Sequence, residues 1–499
     1  MNIVLIHPYI TVRDPHTYLS EPLGLVCLAT YLKQVFQEEI TVHILDLYAL
    51  GANIPVAKDD LHVLGIHDEN FIKAELEIFK PDLIGITCNF TAYALDSLEV
   101  ASIVKRVFPY VPVVLGGAHA TIEAENLLNN NQSIDYIIRN EGEITLEYLI
   151  KTLQGKYVIE KVDGLTYKNT DNMIVSNQGR ELITNLDLLP IPDRSLIDMK
   201  RYQYYTKNCY WYIRQDPAAT ITTSRGCPYN CVFCSTKVMW QRKWRPRSLE
   251  QVFEEIECLV SRYGIREIII IDDQFFAEKK RIMDFCDYFI ARDLGISFWY
   301  ESGTSPWLLD KELLVKMRQA GFYALRLTIE SGSEETLKFI RKPINLDKMK
   351  ELINLGNALG YWTSANFIIG FPYETREEIY KTIRYAYSSA LDYAFFFIAK
   401  PHAGSDLYEI YKNEGLLEQN VIRSSYYYAS DHDTTMMKAD ELNVIMNKAS
   451  NAWFIHKAVF FMNPINFYKH LLSKMKSFDD WKYFIKIICI YLKRKKPCF

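Results

Sequence analysis

Three cysteines within eight residues set the chemistry to look for: Cys227-Pro228-Tyr229-Asn230-Cys231-Val232-Phe233-Cys234. The gaps are three residues and then two, so one short loop can wrap three thiolates around a single cubane cluster. Such a set leaves the fourth iron without a protein ligand. An open iron can take a small molecule, as an open catalytic zinc position does. The competing reading is a structural three-cysteine zinc site completed by Cys209 or a histidine.

Other chemistry-bearing residues follow strand-like runs. Ile271-Asp272-Asp273-Gln274, Glu330-Ser331-Gly332-Ser333 and Asn366-Phe367-Ile368-Ile369-Gly370-Phe371-Pro372 each close an apolar stretch. The runs that must position them are 219–224, 266–271, 297–302, 324–330, 363–369 and 392–399. Helical stretches separate them, one opened by the capping-box sequence Ser248-Leu249-Glu250-Gln251. Six βα units predict an incomplete TIM-type (β/α)6 barrel with its site at the carboxyl ends of the strands. Trp299, Tyr300, Arg326 and His402 are candidates for the pocket wall there, although core packing accounts equally for the first two. No catalytic acid or base is assigned.

The first 153 residues alternate differently. Strand-like runs at 2–7, 41–46, 82–87, 112–117 and 134–139 are continuously apolar and separated by helical segments such as 92–107 and 144–153. That pattern predicts a doubly wound parallel sheet, Rossmann- or flavodoxin-like, which takes ligands beyond the carboxyl ends of its strands. Gly116 and Gly117, followed by Ala118 and His119, stand at one such end and let a ligand approach the backbone. His119 is read either as a ligand contact or as a helix cap, and His7 before Pro8 is equally two-sided.

The cysteine segment resembles the radical S-adenosylmethionine (SAM) superfamily, whose hallmark is Cys-x-x-x-Cys-x-aromatic-Cys. The resemblance implies a 4Fe-4S cluster on Cys227, Cys231 and Cys234, and SAM contacts at Phe233, Asp272, Asp273, Glu330, Ser331, Asn366 and Gly370. The commoner Gly-Gly-Glu of the superfamily is absent at 271–276. The implied chemistry is one-electron cleavage of SAM to a 5′-deoxyadenosyl radical that abstracts hydrogen from an unreactive C–H bond.

The stretch around Gly116-Gly117 and Asn140-Glu141-Gly142-Glu143 resembles the cobalamin-binding half of cobalamin-dependent radical SAM enzymes. Cobalamin domains commonly carry Asp-x-His-x-x-Gly, Ser-x-Leu and Gly-Gly. Here Asp46 to Gly51 fits the first except that Tyr48 replaces histidine, and Thr87-Cys88-Asn89 stands in the second place. The resemblance implies cobalamin contacts at Tyr48, Thr87, Asn89, Gly116, Gly117 and His119. With Tyr48 in the histidine's place no histidine is expected on cobalt, and either Tyr48 or the strand-end groups around Thr87 and Asn89 would sit beneath the corrin or beside its tail, unless Tyr48 turns into the sheet–helix interface. It implies methyl transfer to an unactivated carbon, sometimes phosphorus, of a small molecule. Ring formation or rearrangement without net methylation is the second reading. A methylthiotransferase of transfer RNA is disfavoured, because its further cluster cysteines are lacking. A non-enzymatic cobalamin or nucleotide sensor with a structural metal is the alternative of another class. A flavodoxin or ferredoxin is the expected electron donor.

Composition bounds the rest. The chain has 499 residues and a formal charge of −4, which predicts several domains and gives no nucleic-acid signature. The expected domains are 1–153, a linker with a small β element at 154–215, the barrel at 216–400 and a helical basic region at 401–499. Ten cysteines in so long a chain do not suggest a disulfide framework, and the start does not read as a signal peptide. A cytoplasmic enzyme is expected. Residues 451–499 carry ten Lys and Arg against two acids, and an amphipathic basic helix within 467–496 suits either packing on the barrel with a solvated basic end or a peripheral contact with the inner membrane surface.

Overall fold

The computed structural model describes residues 1–12, 20–51, 55–58, 61–203, 213–417, 430 and 432–493. The chain divides into two compact units: Met1–Tyr210 with Phe253–Glu255, and Trp211–Val252 with Ile256–Phe499.

The first unit is built on a seven-stranded sheet. Its strands are β1 (Asn2–His7), β2 (Thr41–Asp46), β3 (Leu83–Thr87), β4 (Val113–Gly116), β5 (Tyr136–Ile138), β6 (Leu165–Lys168) and β7 (Ile174–Ser176), in the order β7-β6-β5-β4-β3-β1-β2. The first five are mutually parallel. Helices α1 (Leu23–Phe36) and α4 (Gly142–Leu153) bury Leu25, Ala29, Leu32, Leu146 and Leu149 in one core cluster. Helices α2 (Glu69–Phe79) and α3 (Ala94–Val107) bury Ile72, Leu76, Val100 and Val104 in the other. Each such side chain contributes about 1.5–3 kcal/mol of apolar burial, and both sheet faces are covered, as continuous apolar strands require.

Because β1 has β2 on one side and β3 on the other, the winding reverses between β1 and β3. The crevice for a ligand therefore lies beyond His7 and Thr87. The small β element expected within 154–215 forms as a hairpin, but it is no separate linker element. Ile138 pairs with Leu165, so β6 and β7 extend the first sheet antiparallel and the first unit runs past residue 153. A second sheet of Ile10–Val12, Leu61–Leu64 and Val56–Lys58 was not expected, since strands of three or four residues leave almost no periodic signal.

In the second unit all six expected barrel strands are present: β8 (Ala218–Ile221), β9 (Glu267–Ile270), β10 (Ser297–Tyr300), β11 (Ala324–Glu330), β12 (Trp362–Ile369) and β13 (Tyr393–Ile398). They form two parallel three-stranded sheets, β8-β9-β10 and β11-β12-β13, joined by bridges Phe298–Phe322 and Thr304–Leu327. Helices α5 (Leu249–Tyr263), α6 (Lys279–Arg292), α7 (Lys311–Ala320), α8 (Leu346–Ala358) and α9 (Arg376–Ser388) alternate with them. Ser248 caps α5 by accepting from the Gln251 N–H, and Thr375 with Glu378 makes a full capping box on α9.

The tail is helical: α10 (Ala439–Met462), α11 (Pro464–His470) and α12 (Phe478–Lys493). The single helix expected from 467 onward is broken at 471–477. There Lys474 is fully buried and donates to Asn357 Oδ1 at 2.7 Å and to Asp392. No helix among the described residues is long and apolar enough to cross a membrane.

Candidate cofactor sites

The cysteine loop is a pre-shaped cup. Residues Ser224–Arg225 pair antiparallel with Arg245–Pro246 and pinch it shut at its base. Gly226 sits at φ +89°, where a Cβ would lie 2.2 Å from the Lys243 carbonyl, so only glycine fits. Between Cys231 and Cys234, Val232 is buried in a cluster with Leu337, Ile340, Phe371 and Leu407, and it anchors the loop from below. The three thiols stay partly exposed.

Burial pushes the Cys227 thiol up to about 12, and the charges on Cys234, Cys231 and Asp273 add to the push. Cys231 is raised in the same way, with Lys342 opposing. The three sulfurs are thus near enough to feel one another. Among the described residues no three His, Cys, Asp or Glu side chains converge as tightly as one metal ion demands. A single zinc would gather its thiolates at about 2.3 Å from one point, whereas a cubane holds each thiolate at a separate corner. The donor set, three thiols on one short loop at spacings of three and two residues, fits a cluster. Cys258 lies on exposed helical surface and Cys286 is buried, and neither joins the loop; Cys209 lies outside the described residues.

The strand ends around the cup separate into two kinds. Asp272 is buried with both oxygens engaged: Oδ1 accepts from Thr223 N, and Oδ2 from Thr223 Oγ1 and Ser224 Oγ, all at 2.6 Å. It fastens the end of β8, from which the cysteine loop departs, to the end of β9, so it positions the loop and does not face a ligand. Ser331 is likewise taken, with its hydroxyl 2.8 Å from Thr382 Oγ1 and accepting from Ser333 N. Both side chains are thus committed to partners within the protein, unlike the open strand-end groups expected of SAM contacts.

Asp273, by contrast, reaches the surface. The protein packed about it and then the charge on Asp272 push its carboxyl up to about 6, against hydrogen bonds from the Gly226 N–H and Trp240. Glu330 sits at φ +68° where the β11–β12 register slips, a strained placement for a non-glycine residue. Asn366 accepts from Arg326 Nε at 3.1 Å, and Arg326 lies over the Phe395 ring at 4.9 Å. Gly370, at φ +81°, donates to Glu374 Oε2 at 2.7 Å. Phe233 lies 6.1 Å from Phe371. Trp299 and Tyr300 are buried, and the Tyr300 hydroxyl donates to the Asp272 carbonyl at 3.2 Å, so core packing explains both. Burial lowers the His402 imidazole below its ordinary range.

Three residues that sequence reasoning missed complete the cup. Lys342 is buried beside Cys231, 3.3 Å from Glu330 Oε1 and 5.4 Å from the Trp307 ring centroid. Burial alone would favour its neutral form, but Glu330 and the Cys231 and Cys234 thiols outweigh that and hold its ammonium above the usual lysine range. Trp307 Nε1 donates to the Tyr229 hydroxyl at 3.1 Å and fixes the segment between the first two cysteines. Glu374 accepts from the Gly370 and Phe371 N–H groups and is pushed up to about 8 by burial. Only Glu374 had a local signal, following a glycine–proline turn; Lys342 meets Glu330 by tertiary folding alone.

At the edge of the first sheet, β1, β2, β3 and β4 end in His7, Asp46, Thr87 and Gly116. Nothing lies within 4 Å of where a Gly116 Cβ would be, so the floor there is open. Gly117 is at φ +120°, and a Cβ would strike Asn89 Oδ1 at 2.3 Å. Phe90 beside it is 63% exposed, an uncovered aromatic at the crevice. His119 is buried; its Nδ1 is 3.1 Å from Thr91 Oγ1, and its Nε2 has no protein partner. Burial lowers its basicity, so the ring stays neutral. An open glycine floor, a bare aromatic and an orphaned buried nitrogen fit a large flat ligand.

Tyr48 is buried in a cluster with Ile10, Val12, Leu64 and Tyr202, its ring edge-on to that of His7 at 5.8 Å, as the reading that turns it into the interior expects. Asp46 forms a buried node, accepting from Tyr202 Oη at 2.5 Å and from Ala49 N at 2.8 Å, with His7 Nδ1 at 3.1 Å. Burial opposes its ionisation, but His7, the Ala49 N–H and Tyr202 together hold the carboxyl below its ordinary range.

Comparison with known proteins agrees with this geometry. Residues 221–386 match the radical SAM superfamily and residues 12–150 match the B12 binding domain. An uncharacterized methyltransferase of Pyrococcus horikoshii is 35% identical over 78% of this chain and 78% of its own. The cytidylyl-2-hydroxyethylphosphonate methyltransferase of Streptomyces wedmorensis is 29% identical over 85% of this chain and 84% of its own. The anaerobic magnesium-protoporphyrin IX monomethyl ester cyclase of Rubrivivax gelatinosus is 29% identical over 68% of this chain and 60% of its own. The fold matches the cobalamin-dependent radical SAM enzyme OxsB, with TM-score 0.69, 18% identity and coverage of 99% of this chain and 75% of OxsB. It also matches the methyltransferase TsrM of Kitasatospora setae, with TM-score 0.65, 17% identity and coverage of 84% and 77%. The chain belongs to the radical SAM superfamily, among the enzymes that carry a B12 binding domain. Its cofactors are a 4Fe-4S cluster, SAM and cobalamin.

Proposed function

We propose that the enzyme transfers a methyl group to an unactivated carbon of a small molecule, with cobalamin as the methyl carrier. One observation carries this: a relative named as a methyltransferase is 35% identical over 78% of both chains. Cys227, Cys231 and Cys234 would hold the cluster, and Lys342 would keep a positive charge beside it. Phe233, Asp273, Glu330, Asn366 and Gly370 would line the SAM site, while Asp272 and Ser331 brace it. Thr87, Asn89, Gly116, Gly117 and His119 would border the corrin. When bound, the cluster supplies the electron that opens SAM, and cobalamin supplies the methyl group. A small acidic electron donor such as flavodoxin or ferredoxin would dock near the cup. A reducing cytoplasm suits the described cysteines, all of which are free.

The match to a cyclase favours a second reading, radical chemistry without net methylation. Anaerobically reconstituted enzyme, given cell extract and SAM labelled with deuterium on its methyl group, separates the two. Methyl transfer yields a labelled small molecule together with S-adenosylhomocysteine and 5′-deoxyadenosine. Formation of 5′-deoxyadenosine alone, with no labelled product, would support the second reading.

A further inference from the structure

The C-terminal helices present a surface that neither cofactor site uses. On α10 the buried face carries Leu442, Ile445, Met446, Ala449 and Trp453. The opposite face should be polar in a helix that packs only inward, yet beside Lys448 and Asn451 it carries Val444, Ile455, Val459 and Met462, 51%, 69%, 61% and 79% exposed. Further along the chain Ile465, Tyr468 and Phe478 are 62%, 68% and 74% exposed. On α12 the exposed Phe478, Trp481, Ile485 and Ile488 recur at helical spacing and form one stripe.

The charge on this surface has one sign. Between residues 444 and 488 the exposed charged side chains are Lys448, Lys469, Lys476 and Lys482, and no exposed residue there is Asp or Glu. The segment's two acids are turned to internal use. Asp480 is buried and pairs with Arg214 at 2.8 Å, and Asp479 accepts from Gln215 at 2.8 Å. The sequence beyond adds Lys493, Arg494, Lys495 and Lys496.

We infer that this surface seats the enzyme on an anionic lipid bilayer, as a peripheral contact that does not span it. Exposed aliphatic side chains with Trp, Tyr and Phe, set among lysines without carboxylates, match the interior boundary and the negative headgroup layer of such a membrane. An acidic electron-donor protein fits less well. Helix α12 packs by Tyr483 against Tyr323 and Trp362, which precede or begin β11 and β12, whereas the cysteine loop leaves the other end of the barrel strands. A strand of seven residues separates those ends by about 23 Å, too far to bring a donor docked on α12 to the cluster. The contact would tether the enzyme while leaving the mouth of the barrel free.

The test is co-sedimentation of the full chain with vesicles of phosphatidylcholine alone or mixed with phosphatidylglycerol. Two variants accompany it: Ile455→Asp with Val459→Asp and Met462→Asp, and Lys448→Glu with Lys469→Glu, Lys476→Glu and Lys482→Glu. Both sets are on exposed positions, and unchanged iron and cobalt content certifies their folding. The expected result is sedimentation with phosphatidylglycerol vesicles, weakened by salt and reduced at least tenfold in each variant. Absence of sedimentation with anionic vesicles, or binding that both variants leave intact, overturns the inference. So does a solution dimer that the aspartate variant dissociates, because the face would then belong to a second copy of the chain.

Discussion

The two cofactor regions are built on opposite plans. The cysteine cup is over-determined: a glycine that admits no Cβ, a buried carboxylate with three donors, a plugged valine and a buried lysine converge on one loop. The edge of the first sheet is spare, with an open glycine, a bare phenylalanine and one imidazole nitrogen without a protein partner. The difference follows from the cofactors. A cluster is held by covalent ligands whose positions must be fixed beforehand, whereas a corrin is held by shape and by backbone that comes close. Damage to the first site should therefore be abrupt and damage to the second graded.

The largest effect belongs to the thiolates. Cys227→Ala, Cys231→Ala or Cys234→Ala each removes the cluster and all SAM cleavage, read as iron and sulfide content and 5′-deoxyadenosine yield. Cys258→Ala and Cys209→Ala leave both intact. Loss of the cluster in Cys209→Ala would mean a fourth protein ligand and no open iron.

The supports of the cup come next. Gly226→Ala meets the Lys243 carbonyl, and Asp272→Ala strands the Thr223 and Ser224 donors in the interior. Each should cost about 2–4 kcal/mol in thermal or denaturant unfolding and lower cluster occupancy without abolishing it. Full occupancy in Asp272→Ala would show that Asp272 does not brace the loop.

A smaller effect is expected at the sheet edge. Gly117→Val strikes Asn89 and should weaken cobalamin retention roughly tenfold, about 1.4 kcal/mol, while iron content stays normal. The lower face of the cofactor sharpens this. With Tyr48 packed away, the cob(II)alamin electron paramagnetic resonance signal should lack nitrogen superhyperfine splitting. Splitting that vanishes in His7→Ala would place that imidazole, already 3.1 Å from Asp46, on cobalt instead.

The smallest effect is a pH slope. Glu374 is raised from 4.5 to about 8 in the folded state by burial. Its contribution to stability is whole below pH 4.5 and is lost as pH rises through about 8, because the fold then holds a buried carboxylate. Glu374→Gln should flatten the fall in melting temperature between pH 5 and 8. An unchanged slope would mean that the Gly370 and Phe371 N–H groups already stabilise the charged form.

Much of this was legible in sequence because periodicity and spacing are local. The six barrel strands and the five parallel strands of the first sheet stand where apolar runs placed them. What failed was long-range. Asp272 was found as a strand-end acid, but its role depends on hydroxyls 49 and 48 positions earlier. Tyr48 was matched by its distance from Asp46, yet the carboxylate is claimed by Tyr202, 156 positions later. Lys342 carries no motif, and only the folded chain brings it against Glu330.

A single chain that holds both a three-cysteine cluster and cobalamin can be assayed for both at once. The direct measurement is iron, sulfide and cobalt content after anaerobic reconstitution with iron, sulfide and hydroxocobalamin, in the natural chain and in the variant Cys227→Ala with Cys231→Ala and Cys234→Ala. The natural chain should hold about four iron and four sulfide with one cobalt, and the variant should lose the iron while keeping the cobalt. A natural chain that retains no cobalt, or a variant that keeps its iron, would contradict this.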